Sequence, residues 1–370
     1  MNKAGKPQVD QLDPRSLTAV LILGIVEYEV FTFSKTTVAV AKQDAWLGVL
    51  LGALIGTAVV YLLIRLAARF PGKDFFEYLK IVWGKPMGTA FAMVYLLYFL
   101  LFLIALFYES TMANQLLFLP RTPKIIPLLI FALALIWLVA DGITPIVRFF
   151  QLMLPFLLIP LLVLVILFIR SIDYENFLPV LGGGAVPVLK GAFYFLGAYQ
   201  GPEILLFLAP FITRVKEGTK YAMIGYAIPS FIGWSNTVAA LGILGVSGVK
   251  EAILPGIDVV TLIELPGFPV ERFGLLLTLP WLIAIFTTLA IYLFLLCYGF
   301  ARLFGLQYKK TTIGILTMGI LLTSYFLPNV AWHEKLRIGL TLITPVLVYV
   351  LPLVTLFLAI IRKKGEGRNE

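Results

Sequence analysis

Cysteine and histidine are almost missing from this chain: Cys297 and His333 are the sole examples in 370 residues. One cysteine cannot close an intrachain disulfide, and Cys297, inside the apolar run LFLLCYGF, reads as a packing residue. His333 reads as part of a short polar loop, so no metal site is expected. Charge is scarce as well, at 13% of residues. No HExxH, paired-cysteine, Gly-x-Ser-x-Gly or Walker signature occurs, so neither catalysis nor a cofactor is expected. Gly182, Gly183 and Gly184 resemble a phosphate cradle only on the surface, because no strand–loop–helix unit with Lys-Ser or Lys-Thr follows.

What is present is apolar. Hydrophobic residues make up 60% of the chain and the mean hydropathy is +0.98, which excludes a water-soluble globule. The net charge of +9 does not indicate nucleic acid, because lysines and arginines flank apolar segments instead of forming a stripe. With about 20 apolar residues per crossing, the sequence predicts ten spans. They run near residues 17–36, 45–69, 87–112, 124–141, 144–170, 187–211, 219–246, 272–303, 311–328 and 336–361. With the N-terminus inside, 19 of the 29 basic residues face the cytoplasm and 10 lie outside, which puts both termini inside. Residues 1–16 are polar without an apolar core, so the first span is expected to serve as the uncleaved insertion signal.

Between the second and third spans, RLAARFPGKDFFEYLKIVWGK is basic and has helical periodicity. Phe75, Phe76, Leu79 and Trp83 share a face, which suggests an interfacial helix against the bundle. Trp46, Trp83 and Trp332 fall near span ends, as aromatic anchors do. The longest connection, around 247–273, has room for a short helix over Ile257–Glu264. Asp141, before Gly142 and Pro145, is expected to cap the fifth span.

Two spans contain what a lipid-facing helix avoids. The sixth holds Gly197, Tyr199, Gln200, Gly201, Pro202 and Glu203 in its middle. Proline removes a backbone donor and glycine favours an unwound chain. Freed peptide groups cannot face lipid, so the break must line a cavity, and half-helix ends meeting there can hold a small solute. A proline kink that only shapes packing is the plainer alternative. The first span carries Glu27, Tyr28 and Glu29, where each acid costs about 2.5–3.5 kcal/mol to bury. Residues two apart lie about 200° round a helix, so only unwinding lets both acids face one site. Otherwise they snorkel outward or pair with a base.

Ten spans divide into five and five, near 17–170 and 187–361, as an inverted repeat with spans one and six interrupted at matching positions. Tyr95, Tyr98 and Glu109 on the third span, with Thr287 and Thr288 on the eighth, are further candidates for a solute or ion. For the tyrosines the alternative is packing. For the threonines it is bonding back to their own helix.

Four stretches resemble the spore germination permease family: FFEYLKIVWGK, ENFLPVLGGG, IELPGFPVERF and IAIFTTLAIY. The family comprises the B-subunits of endospore germinant receptors, in the amino acid–polyamine–organocation superfamily. The likeness covers roughly residues 15–362. It implies an all-α inverted-repeat fold in the spore inner membrane and a subunit that senses a small nutrient. It also implies two partners, an A-subunit with a soluble domain and a lipoprotein C-subunit. The implied pocket comprises the first-span break, Tyr98, the Gly197–Gly201 break and Thr287. A proton- or cation-coupled transporter of amino acids or related solutes is the alternative. One departure stands out: family members carry a glycine-containing run ending in proline at the first break, whereas Glu27 to Ser34 holds neither. A cationic or neutral solute, or a cation, is therefore expected in place of a zwitterionic amino acid.

Overall fold

A computed structural model describes residues 12–27, 29–117, 121–252, 254–262, 274–327 and 329–365. Among them the chain is helical, and the β contact recorded is an isolated bridge between Leu12 and Ile212.

The first half contains α1 (Ser16–Ile25), α2 (Glu29–Ala41), α3 (Ala45–Arg69), α4 (Phe75–Trp83), α5 (Lys85–Leu117), α6 (Ile125–Val139) and α7 (Ile143–Phe168). The second contains α8 (Ala185–Ala198), α9 (Ile204–Leu208), α10 (Thr219–Glu251), α11 (Pro255–Thr261), α12 (Gly274–Phe304), α13 (Lys310–Tyr325), α14 (Val330–Thr344) and α15 (Leu351–Ile361). Ten crossings follow if α1–α2, α8–α9 and α14–α15 each count as one and α4 and α11 lie at the ends. Spans one and six are interrupted, as expected. A third interruption was not: α14 passes into α15 through a widened π-helical turn at Pro345–Val350. Pro345 and Pro352 withhold two backbone donors there.

Sequence explains which faces meet lipid. On α7, Leu152, Phe156, Ile159, Val163 and Ile166 recur at three- and four-residue spacing and are all exposed, while Ile146, Phe150, Leu157, Leu161 and Leu164 on the other side are buried. Such an apolar stripe would be an aggregation surface in water and is ordinary in a bilayer. Elsewhere in the bundle the helices pack closely. The Cα of Gly48 on α3 lies against Gly191 on α8, and a Cβ on Gly197 would sit 2.2 Å from the Thr341 carbonyl on α14.

The connection helix α4 docks as expected, with Phe75, Phe76 and Leu79 buried and Trp83 Nε1 donating to Thr355 at 3.0 Å. A capping box starts it: Asp74 accepts from the Glu77 amide at 3.0 Å and Glu77 accepts from the Asp74 amide at 3.1 Å. Arg302 at the end of α12 binds the same Asp74 at 2.9 Å.

Three expectations are corrected. Asp141 does not cap the fifth span; Gly142 stands at that cap without a side-chain bond, and Asp141 pairs with Lys310 at 3.3 Å. The short helix before α12 runs Pro255–Thr261, because Pro255 pre-sets the first turn; Glu264 and the VERF block lie outside the described residues. The last span begins at Val330, not near 336, because the Asn329 side chain accepts from the Trp332 amide and caps it early. His333 is therefore on a helix and buried, not in a polar loop, and Arg337 is an interior residue and not a flanking charge.

Candidate functional site

The sixth-span break spans Tyr199 to Glu203, between α8 and α9. Gly201 has a φ of +131°, and a Cβ there would lie 2.3 Å from Ile25 Cγ1 at the end of α1. Only glycine permits both the backbone and this approach, so the two breaks touch. Glu203 is fully buried. Its Oε2 accepts from the Gly201 amide at 2.8 Å and its Oε1 from the Tyr292 hydroxyl of α12 at 2.6 Å. The Tyr98 hydroxyl of α5 also faces this carboxylate and lies 3.1 Å from Thr344 Oγ1 on α14. Gln200 Nε2 reaches the same Thr344 hydroxyl and the Gly197 carbonyl, each at 3.3 Å. The other amide atom, Gln200 Oε1, is buried without a protein hydrogen bond. Four spans thus surround one carboxylate and one spare amide oxygen, at a place solvent barely reaches.

The first-span break lies at Val26 and Glu27, where Val26 is extended (φ −69°, ψ 108°). Its orphan carbonyls are met by α12: Thr287 Oγ1 donates to the Leu23 carbonyl at 2.8 Å, and Thr288 Oγ1 lies 3.2 Å from Leu23 O and 3.4 Å from Val26 O. Thr287 also bonds back to Ile283 at 2.8 Å, which is the alternative stated for it. Glu27, 1% exposed, accepts from Arg337 Nη2 at 3.1 Å. Arg337 grips Glu109 of α5 with Nε and Nη2 in a two-pronged pair, and His333 Nε2 lies 2.9 Å from Glu109 Oε1. Phe102 lies beneath the guanidinium, 5.4 Å from Cζ to ring centre, and Tyr108 stacks on His333 at 4.8 Å. Spans one, three and ten are bound together by this buried network.

The candidates read from sequence separate accordingly. Glu203, Gln200, Gly201 and Tyr98 come together at one point, with Thr287 and Thr288 beside the other break. Glu27 is at the first break but engaged by Arg337, which is the pairing alternative stated for it. Gly197 serves close packing against α14. Tyr199 points away, stacking on Phe195 at 4.3 Å and donating to the Pro229 carbonyl of α10; its own carbonyl accepts from Tyr349 at 3.1 Å. Tyr95 donates to the Leu347 carbonyl in the widened turn. Tyr28 lies outside the described residues, and of Glu29 only the backbone is described, as the first residue of α2. Sequence reasoning missed Tyr292, Thr344, His333 and Arg337. Arg337 carried a signal: it lies four residues after His333 and four before Thr341, so the three polar side chains share one face of the helix.

Solved structures with this fold include MhsT in complex with L-phenylalanine (15% identity, 95% of this chain and 90% of that one, TM-score 0.69). They also include Mhp1, a nucleobase-cation-symport-1 family transporter in a closed conformation with bromovinylhydantoin bound (16% identity, 96% and 80%, TM-score 0.62). At this identity the likeness extends to the fold. Among relatives, Bacillus subtilis spore germination protein YndE is 26% identical over 94% of this chain and 96% of its own. Spore germination protein A2 of the same organism is 30% identical over 73% and 74%. The family model described as "Spore germination protein" matches residues 11–329, and with these relatives it shows that this multi-pass membrane chain belongs to the spore germination protein family.

Proposed function

We propose that the chain is the membrane-embedded sensing subunit of a spore germination receptor and binds a small solute between the breaks of spans one and six. The observation that carries this reading is the pairing of a fully buried carboxylate, Glu203, with the spare, buried Gln200 Oε1 beside it. Buried polar atoms are normally satisfied, and these two offer acceptors to a donor-rich solute. The Gly201 amide, which would otherwise greet a solute carboxylate at the start of a half-helix, already holds Glu203. A solute carboxylate would thus meet Glu203 without that amide, so a cationic amine or a neutral hydroxyl-bearing solute fits better than a zwitterionic amino acid.

Solute binding rocks one group of spans against the other and passes the signal to partners, namely an A-subunit with a soluble domain and a lipoprotein C-subunit. The basic-residue balance supports cytoplasmic termini, with the protein in the spore inner membrane. A second reading, a proton- or cation-coupled transporter, is favoured by one observation: the Leu23 and Val26 carbonyls and the Thr287 and Thr288 hydroxyls converge. These are oxygen donors suited to a hard cation.

The test is thermal stability of the purified chain with a primary amine, a neutral sugar or L-alanine, since a ligand stabilises only the state it binds. The amine or the sugar should raise the melting temperature, and Glu203→Gln should abolish the amine shift. A shift with L-alanine that survives both Glu203→Gln and Glu27→Gln overturns the solute class. Counterflow of labelled solute in liposomes holding this chain alone would favour the transporter.

A further inference from the structure

A second concave feature lies apart from the breaks, at the end of the bundle where Leu12 pairs with Ile212 and where Gly365 lies. It is a recess of about 1080 Å³ between the end of α3, the α9–α10 connection and the end of α15. Arg65, Arg69, Arg214 and Lys216 line it, against one acid, Glu217. That acid is already occupied by Arg214 at 2.9 Å. Arg65 is propped in place by Tyr61, whose hydroxyl accepts from Nη2 at 2.5 Å and whose ring lies 5.1 Å beneath Cζ. Arg69 is fixed by the Lys364 carbonyl at 2.6 Å.

These cations come from separate segments and converge on one hollow. Orientation of the spans requires only that positive charge be on the correct side of the membrane; it does not require concavity or propped side chains. The remaining wall is apolar, formed by Leu62, Leu356 and Ile360. It continues directly into the exposed, lipid-facing Phe357 and Ile361 of α15. A basic hollow at the helix ends, opening onto an apolar seam, matches a molecule with an anionic head and hydrocarbon tails.

We propose that this recess is a binding site for the phosphate headgroup of an anionic phospholipid, with an acyl chain lying along the α3–α15 seam. Arg65, Arg214 and Lys216 contact the phosphate, and Arg69 ties the C-terminal segment to the same hollow. The lipid thereby bridges span two, the α9–α10 connection and span ten, so it acts on the elements that flank both the sixth-span break and the widened turn.

The experiment compares the full chain in nanodiscs of phosphatidylglycerol and of phosphatidylcholine with matched acyl chains, and counts retained lipids by native mass spectrometry after extraction. Phosphatidylglycerol should raise the melting temperature and remain bound. The double variant Arg65→Gln/Arg214→Gln should lose about fivefold in phosphatidylglycerol affinity per charge removed. A control of equal charge, Lys220→Gln/Lys309→Gln, alters exposed lysines at the same end but outside the recess and should keep wild-type binding. Equal behaviour of the two lipids with wild-type protein overturns the proposal, whatever the variants do. So does equal loss in the control, which would mean diffuse attraction. Stabilisation by glycerol 3-phosphate matching that of phosphatidylglycerol overturns the lipid assignment in favour of a soluble phosphate ester.

Discussion

The two breaks are held open by different physics. The sixth span is broken by its own sequence: Gly201 takes a backbone few residues adopt, Pro202 supplies no donor, and Glu203 folds back onto the Gly201 amide. The first span has no glycine or proline from Glu27 to Ser34 and is broken by its neighbours. Thr287 and Thr288 take its carbonyls, and Arg337 pairs with Glu27. The acids differ in the same way. Glu27 faces a guanidinium, whereas among the described residues Glu203 is held by an amide and hydroxyls alone. An acid paired with arginine has its charge balanced within the protein, while one held by neutral donors alone has no counter-charge there. The contrast separates an acid paired with a cation from one held by neutral donors.

The largest expected effect comes from removing the shared cation. Arg337→Met strands Glu27 and Glu109 in the interior and should cost about 3–5 kcal/mol of stability, read as a fall in melting temperature of the detergent-solubilised protein. Adding Glu27→Gln and Glu109→Gln should recover most of it. Failure to recover would mean that arginine packing on Phe102, and not charge, holds spans one, three and ten together.

Next comes the support of the first break. Thr287→Val/Thr288→Val leaves the Leu23 and Val26 carbonyls without their donors, at about 1–3 kcal/mol. Amide hydrogen exchange should quicken from Leu23 to Phe31 and stay unchanged from Tyr199 to Glu203. Equal change at both breaks would erase the distinction between them.

The smallest effect sharpens the role of Glu203. Tyr292→Phe removes one hydroxyl from its carboxylate and should cost about 1 kcal/mol if the acid is neutral. If the acid is ionised, the loss should be about 1.5–3 kcal/mol. Denaturation at low and high pH with wild type and variant distinguishes the two: an acid that ionises between them makes the difference grow as pH rises, whereas one that stays neutral leaves it at about 1 kcal/mol at both.

Legibility in the sequence followed locality. The ten spans, the docked α4 helix and the sixth-span break were all readable, because hydropathy, helical periodicity and the Gly-Pro signal act within a few residues. The fate of Glu27 was readable only as a choice between a cavity and a salt bridge. Its partner lies 310 residues away, and nothing near Glu27 names it. Tyr292 and Thr344 went unnoticed for the same reason: a lone tyrosine or threonine on an apolar span looks like packing until four spans are seen to converge. His333 was misplaced through a boundary error, since the Asn329 cap that starts α14 resembles an ordinary loop residue.

Composition alone determined that this chain lives in a bilayer, since apolar runs of this length and number have no other stable solvent, and local backbone chemistry determined where span six must open. Glu27 and Glu29 marked span one as a second opening, but only the packing of distant spans decided what holds it open. It also decided that, of three buried glutamates, Glu27 and Glu109 share Arg337 while Glu203 is held by neutral donors. Charge pairing and carbonyl satisfaction depend on which helices end up side by side, and no local pattern encodes that.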